Sequence, residues 1–259
     1  MITSVSNRQV KNIIQLNKKS KVRKETNQFV VEGIKMFQEA PKDAIKQIYV
    51  SESFLAKENH KDILGDCKYE VMQDTVFQTA SDTKTPQGIL CIIEQFRYNT
   101  FDIIKKNPAH IILLEDLQDP GNLGTILRAG EGAGITGVIL SKNCVDIYNP
   151  KTIRSTMGSI YRVPFAYVED LKQTVEDLKH NNIEVYAAHL KQSEDYDKIN
   201  LTKPHAFMIG NEGNGLSDEL SSIADFYLKI PMAGEVESLN AAIAASILMY
   251  ETSRQRRNL

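Results

Sequence analysis

Residues 110–141 read HIILLEDLQDPGNLGTILRAGEGAGITGVILS, and this stretch decides the fold. It begins with an apolar strand over 110–115 and turns at Asp119-Pro120-Gly121. A helix over 122–133 follows, then a second strand over 137–140. Two strands joined through a helix imply a parallel pair. Downstream the alternation continues, with strands near 162–166, 183–187, 206–209 and 226–230 and helices near 150–157, 169–180 and 238–253. The expected architecture is α/β with a mostly parallel sheet, and its ligands belong at the carboxyl ends of the strands. Upstream, four strand candidates (29–32, 45–50, 69–72 and 88–93) alternate with helical patterns at 34–40, 52–59 and 74–80. That rhythm predicts a separate, smaller α/β sandwich. Residues 96–108, with Asn99, Lys105, Lys106, Asn107 and Pro108, read as a linker. The segments are therefore an arm (1–24), a small domain (25–95), the linker (96–108) and the larger domain (109–259), where the chemistry is expected.

Composition narrows the class. The chain has 259 residues, 42% hydrophobic and 25% charged, which is ordinary for a globular protein. Its longest apolar runs, such as Ile111-Ile112-Leu113-Leu114, fall far short of the roughly 20 residues of a membrane span. No cationic stretch leads into an apolar segment at the start, so the expectation is a soluble cytoplasmic protein. Cys67, Cys91 and Cys144 stand in no CxxC pair, which argues against a disulfide framework or a structural zinc site. The five histidines form no ligand-spaced pair, so no metal is expected.

The formal net charge is −2, but it is unevenly spread. Residues 1–24 hold Arg8, Lys11, Lys18, Lys19, Lys21, Arg23 and Lys24 and no acid, leaving 24 cations against 33 acids in the rest. Seven cations in one short arm suit phosphate neutralisation on a nucleic acid. A solvated amphipathic helix over Val5–Leu16 would explain them equally well. A second basic cluster, Arg254, Arg256 and Arg257, fits the negative end of the last helix's dipole.

Three glycine-rich turns follow strands in the larger domain. The first is Asp119-Pro120-Gly121-Asn122-Leu123-Gly124, leading to Arg128. Glycines there let a ligand approach backbone at the start of a helix. Asn122 and Arg128, six residues apart, do not lie side by side on that helix. Gly132, Gly134 and Gly137 formally match GxGxxG, but they end a helix and enter a strand, the reverse of a dinucleotide site. The second turn is Ile209-Gly210-Asn211-Glu212-Gly213-Asn214-Gly215-Leu216-Ser217, three glycines around one carboxylate. The third is Ile230-Pro231-Met232-Ala233-Gly234-Glu235-Val236-Glu237-Ser238-Leu239-Asn240. Ser238 is a natural N-cap for the helix that follows. Ala241, Ala242, Ala244, Ala245 and Ser246 give that helix a small-residue face on which another helix can pack closely.

In this order the turns N-x-G-x-x-x-R (Asn122, Gly124, Arg128), I-G-N-E-G-x-G-L-S (209–217) and I-P-M-x-G-x-x-E-S-L-N (230–240) resemble the three motifs of the SpoU, or TrmH-type, RNA 2′-O-ribose methyltransferases of the SPOUT superfamily. The likeness covers about residues 108–255, and all three motifs are complete. From Phe29-Val30-Val31-Glu32-Gly33 to Glu94 the chain is similar to the L30e-like substrate-binding domain of the rRNA-directed branch. The resemblance implies a SPOUT α/β fold with a deep trefoil knot in the C-terminal domain. It also implies a homodimer with active sites at the interface, and S-adenosylmethionine held in the knot. Gly210, Ile230, Met232 and Leu239 would contact the cofactor, while Asn122, Arg128, Glu212, Ser238 and Asn240 would form the catalytic and RNA-facing set.

The implied reaction is an in-line displacement in which a ribose 2′-oxygen attacks the methyl carbon of a sulfonium. Alignment supplies most of the rate in such a bimolecular step. A guanidinium, with a pKa above about 12, stays protonated, so Arg128 is expected to hold a phosphate and stabilise the developing alkoxide rather than act as a base. Glu212 could orient Arg128 or the hydroxyl. The separate N-terminal domain favours rRNA, 23S in particular, over tRNA, because it suits a large structured target. Other readings are a non-catalytic RNA-binding protein, a tRNA 2′-O-methyltransferase and a SPOUT base methyltransferase.

Overall fold

The strands β1 (Gln28–Glu32), β2 (Ile45–Ser51), β3 (Glu70–Met72) and β4 (Ile89–Glu94) form a four-stranded sheet in the order β1-β4-β2-β3. β4 runs antiparallel to both β1 and β2, and β2 runs parallel to β3. The computed structural model describes residues 1–189 and 193–258. This sheet belongs to the first of two units, formed by Met1–Phe96 with Asp146–Tyr161; Arg97–Val145 and Arg162–Leu259 form the second.

The N-terminal segment is built into the first unit. Helix Arg8–Lys18 is capped by Asn7, whose side chain accepts from Gln9 N. It buries Val10, Ile13 and Leu16 in the cluster that also holds Tyr49, Met72, Phe77 and Leu90. An 11-residue helix is marginal alone. Each fully buried aliphatic side chain contributes roughly 1.5–3 kcal/mol, and that tertiary burial is what holds it. Its start lies three residues after the predicted Val5, which is exposed. Of the helical pattern at 52–59 only Glu52–Leu55 is an α-helix; a second short helix, His60–Leu64, starts after Asn59, which takes a left-handed backbone.

Asp146–Tyr161 differ from the sequence reading, which kept 109–259 continuous. Tyr148 Oη donates to Phe96 O (3.0 Å) and accepts from Phe96 N (2.7 Å), and its ring lies 4.6 Å from that of Phe29. Tyr161 Oη donates to Met36 O (2.9 Å). Helix Pro150–Thr156 packs on β1. These side chains find partners in the first unit, so the chain leaves the larger sheet and returns three residues later than predicted, at Phe165.

The second unit is a seven-stranded sheet of β5 (His110–Leu114), β6 (Gly137–Ser141), β7 (Phe165–Val168), β8 (Glu184–Ala188), β9 (Glu194–Asp195), β10 (His205–Ile209) and β11 (Phe226–Lys229). Its order is β7-β6-β5-β10-β8-β11-β9, and every pairing is parallel. β5, β6 and β10 are buried at every residue, as strands covered on both faces must be. Helix Pro120–Ala133 has Asp119 at its N-cap, Pro120 in its first turn and Gly134 at φ +78 just past its end. The GxGxxG pattern is thereby explained by packing. Gly134 ends the helix, a Cβ on Gly132 would fall 2.6 Å from Tyr250 Oη, and one on Gly137 would fall 2.6 Å from Ile103 Cγ2. Ile103 comes from the expected linker, which contains helix Thr100–Ile104 capped by Asn99 and buries Ile103 in the core.

The last helix, Ala241–Arg257, packs on Pro120–Ala133, burying Ala242, Ala245 and Met249. A Cβ on Gly130 would come 3.3 Å from Met249 Sδ. The closing cations are used within this unit: Arg254 pairs with Glu251, and Arg256 donates to Ala109 O (2.8 Å) and Lys203 O (2.9 Å). No helix is long and apolar enough to cross a membrane among the described residues.

His110 and His205 open the adjacent strands β5 and β10, buried with their rings 5.1 Å apart. Burial pushes His110 down to about 2, helped by His205 and Arg256. Burial likewise pushes His205 down to about 4, against the bond to Lys203 O and with Arg256. Folded pKa values below the unfolded value of about 6.5 mean that the unfolded chain takes up protons the folded one refuses. Their contribution is complete above about pH 7 and is lost as pH falls toward 4, at about 2 kcal/mol per histidine between pH 7 and 5. Denaturant unfolding at pH 7 and 5 should therefore show a loss of stability that His110→Phe roughly halves; an unchanged loss in the variant excludes this origin.

Candidate active site

The loops that leave the carboxyl ends of β5, β10 and β11 meet on one side of the larger sheet. Neighbouring β5 and β10 belong to chain stretches far apart in sequence, which is the kind of strand reversal where open α/β sheets bind ligands. The loop after β10 is folded back on itself. Asn211 N donates to Gly215 O (3.0 Å) and Gly215 N to Asn211 O (2.9 Å), with Gly215 at φ +68. A Cβ on Gly210 would fall 2.1 Å from Gly215 C and Leu216 N, so only glycine fits. Asn211 Oδ1 accepts from Gly213 N (2.9 Å) and Asn214 N (3.2 Å). Ser217, which caps the short helix Asp218–Ser221, is tied to Glu115 through N (2.8 Å) and Oγ (2.6 Å).

This fold aims Glu212 at the start of helix Pro120–Ala133. Its Oε2 accepts from Gln118 N (3.0 Å), and its Oε1 accepts from Asp119 N (2.9 Å) and Asn122 Nδ2 (2.9 Å). Asn122 Oδ1 in turn accepts from Asn240 Nδ2 (3.0 Å). One residue from each glycine-rich turn thus joins an unbroken chain, Glu212–Asn122–Asn240. Partial burial would raise the Glu212 pKa, but the Gln118 N–H, the Asn122 amide and the Asp119 N–H together hold it below the ordinary glutamate value. Glu212 is therefore an anion at neutral pH with its oxygens occupied.

Beside Glu212 opens a cavity of about 510 Å³, within the range of small-molecule sites. Gly210, Glu212, Ile230, Met232, Ser238 and Leu239 all line it, as do His189, Leu228 and Leu248, which the sequence analysis did not single out. Its walls are backbone and aliphatic side chains from the glycine turns, with Asp218 and Glu237 supplying negative charge. No group of three or more His, Cys, Asp or Glu is placed to hold a metal among the described residues.

One sequence expectation changes here. The N-cap of the last helix is Asn240, not Ser238: Asn240 Oδ1 accepts from Ala242 N (2.9 Å) and Ile243 N (3.3 Å). The helix starts at Ala241, so Ser238 stays in the loop, exposed, with its hydroxyl free of protein partners among the described residues. Arg128 is exposed, lies outside the cavity lining, and makes no hydrogen bond or ion pair among the described residues. Six helical residues carry it to a different side from Asn122.

In the first unit, Arg8, Lys11, Lys18, Lys19, Lys21 and Lys24 are exposed, and Lys21 lies 3.8 Å from Glu25. At 100° per residue, Arg8, Lys11 and Lys18 share the side of helix Arg8–Lys18 opposite Val10, Ile13 and Leu16. Arg23 is the exception. It is 3% exposed, donates to Asp146 Oδ2 through Nε (2.9 Å) and Nη2 (2.7 Å), and reaches Leu16 O through Nη1 (2.6 Å). Its guanidinium is enclosed in the fold, so it is a structural tie and not part of the surface cation set.

Asn122, Glu212 and Asn240 were legible as motif residues, but their partners were not. Asn211, Gln118 and Glu115 act through contacts some 90 to 100 positions apart, to Asp116, Glu212 and Ser217 respectively. No local spacing signals such contacts.

Residues 109–250 match the SpoU rRNA Methylase family, and residues 7–91 match the MRM3-like substrate binding domain. The chain is 32% identical over 251 residues to the 23S rRNA (guanosine(2553)-2'-O)-methyltransferase RlmP of Bacillus subtilis (strain 168), covering 96% of this chain and 97% of that protein. It is also similar to the crystal structure of an rRNA methyltransferase from Sinorhizobium meliloti, with a TM-score of 0.85, 33% identity and coverage of 98% of this chain and 96% of that one. The AdoMet-bound rRNA methyltransferase structure from the same organism gives a TM-score of 0.82 at 33% identity, covering 98% and 97%.

The Asn240 cap generates a test of its own. Asn240→Ala should lower stability by about 1 kcal/mol in denaturant unfolding, whereas Asn240→Ser should retain most of it, because serine keeps the cap. Equal losses in the two variants would place the stabilising contact at Asn122 and not at the cap.

Proposed function

The chain belongs to the SpoU rRNA methylase family, and we propose that it transfers a methyl group from S-adenosylmethionine to a ribose 2′-hydroxyl of 23S rRNA. The observation that carries this reading is the hydrogen-bonded chain Glu212–Asn122–Asn240 beside the cavity. The cavity fits the cofactor in size and chemistry, with backbone polar groups and aliphatic walls for adenosine and carboxylates for a sulfonium charge. When bound, S-adenosylmethionine supplies a methyl carbon made electrophilic by the positive sulfur.

The chain's own residues do the rest. Gly210, Ile230, Met232 and Leu239 hold the cofactor, largely through backbone and apolar contact. Glu212, with its oxygens already accepting three hydrogen bonds, positions Asn122 and the helix start instead of taking the ribose proton. Asn122 and Asn240 orient each other, and the free hydroxyl of Ser238 is available to the ribose. Arg128 keeps its charge, holds the neighbouring phosphate and stabilises the oxygen as its proton passes to solvent water and the methyl carbon leaves the sulfur, which departs as the neutral thioether.

Arg128 stands outside the cavity of its own chain, so the site is completed in a homodimer in which Arg128 of the partner subunit reaches the cavity. Ile243 (52% exposed) and Tyr250 (49%), one face of the last helix, support such an interface. β10, lying between β5 and β8, supports the threaded, knotted C-terminal segment that the motifs imply. The exposed cations Arg8, Lys11, Lys18, Lys19, Lys21 and Lys24 take the RNA backbone. Such an enzyme works where ribosomes are made, in the cytoplasm.

Labelled S-adenosylmethionine, unmodified 23S rRNA, 16S rRNA and tRNA, followed by digestion to nucleosides, tests the reaction. Label should appear in a 2′-O-methyl nucleoside from 23S rRNA; label in a base would sink the ribose assignment. Arg128→Ala should lower turnover at least about 100-fold while leaving cofactor affinity unchanged. Ile243→Glu should convert a dimer to a folded monomer in light scattering and abolish turnover; an active monomer would refute the shared site. Lys11→Ala and Lys18→Ala should weaken binding uniformly across RNA sequences and each reduce the salt slope by about 1.

A further inference from the structure

One residue bonded to the cavity-lining Asn211 holds a backbone conformation that side chains disfavour. Asp116, two residues beyond the end of β5, has φ +51, and glycine would adopt this at no steric cost. Its carboxylate is what the position uses. Ser141 Oγ donates to Asp116 Oδ1 (2.6 Å), Asn143 Nδ2 donates to Oδ2 (3.3 Å), and Asp116 N donates back to Ser141 Oγ (2.9 Å). The end of β6 thus grips Asp116 from one side.

On the other side the turned carbonyl accepts two side-chain amides, Asn211 Nδ2 (2.8 Å) and Gln118 Nε2 (2.9 Å). Asn211 is the residue whose Oδ1 folds the loop from Gly210 to Gly215, and Gln118 supplies one of the N–H groups that hold Glu212. The ends of β5 and β6 and the loop after β10 therefore converge on one residue, β6 through its carboxylate and N–H and the β10 loop through its carbonyl. Residues held in sparsely populated backbone regions persist where surrounding structure fixes them, and such places cluster at functional sites.

We propose that Asp116 is a positioning residue for the cofactor: its carboxylate, locked by Ser141 and Asn143, aims its carbonyl so that Asn211 and Gln118 hold the Gly210 loop in its binding form. This rests on the S-adenosylmethionine reading above. Its effect passes through the Gly210 loop and not through RNA, so it should separate the two substrates kinetically.

The test is titration of the full-length protein with S-adenosylmethionine by calorimetry, together with KM for each substrate, well below each variant's unfolding temperature. Asp116→Ala should raise Kd and KM for S-adenosylmethionine by about tenfold and leave KM for RNA unchanged. Asp116→Asn tolerates the left-handed conformation and keeps an acceptor for Ser141, so it should restore affinity to within about threefold. Ser141→Ala removes the grip without touching Asp116 and should weaken cofactor binding in the same direction, which keeps the test available if Asp116→Ala does not fold. Wild-type cofactor affinity in a folded Asp116→Ala or Ser141→Ala variant would overturn the proposal, as would a parallel rise in KM for RNA. Failure of the unaltered protein to bind S-adenosylmethionine would instead overturn the methyltransferase reading, and this inference with it.

Discussion

Glu212 finds three hydrogen-bond donors at the entry to a helix some ninety residues earlier in the chain: two backbone N–H groups just before it and one side-chain amide in its first turn. That one interaction closes the site. It fixes Asn122, Asn122 reaches Asn240, and Asn240 starts the last helix. Helix N-termini present unsatisfied N–H groups and a positive dipole end, so a negative side chain is stabilised there. With its oxygens committed in this way, Glu212 ties the loop after β10 to the start of helix Pro120–Ala133.

The parallel sheet makes this meeting possible. In a parallel arrangement every strand delivers its carboxyl end to the same side, so successive loops gather there however far apart they lie in sequence. β10 sits beside β5 and brings the 209–217 loop against residues 115–119. At the opposite end, where β5 and β10 begin, buried His205 bonds to buried Thr252 of the last helix, and half-buried Arg256 of the same helix donates to Ala109 O. One end of the same pair of strands is thus given to the site and the other to stability.

The first unit separates structural from surface charge. Arg23 is enclosed by Asp146 and by main-chain carbonyls, whereas the other cations of residues 1–24 remain at the surface. A buried guanidinium is tolerated only when its donors are satisfied, and these partners satisfy it. The remaining cations of the segment are exposed to solvent.

The sequence alone determined what depends on local pattern. Unbroken apolar runs marked β5, β6 and β10, while Asp119, Pro120 and Gly134 punctuated the helix between β5 and β6. The order of the three glycine turns indicated the family. Tertiary structure decided what depends on partners distant in the chain. Ile103 turned an expected linker into core, Tyr148 and Tyr161 drew residues 146–161 into the first unit, and Asn240 displaced Ser238 as the cap because its amide also meets Asn122. Arg23 and Lys24 are neighbours of the same charge, yet one is buried against Asp146 and the other is exposed. Composition and spacing are properties of neighbouring residues, whereas burial and hydrogen-bond satisfaction are settled only when remote segments pack, and for that reason the site's supports were invisible until the chain was folded.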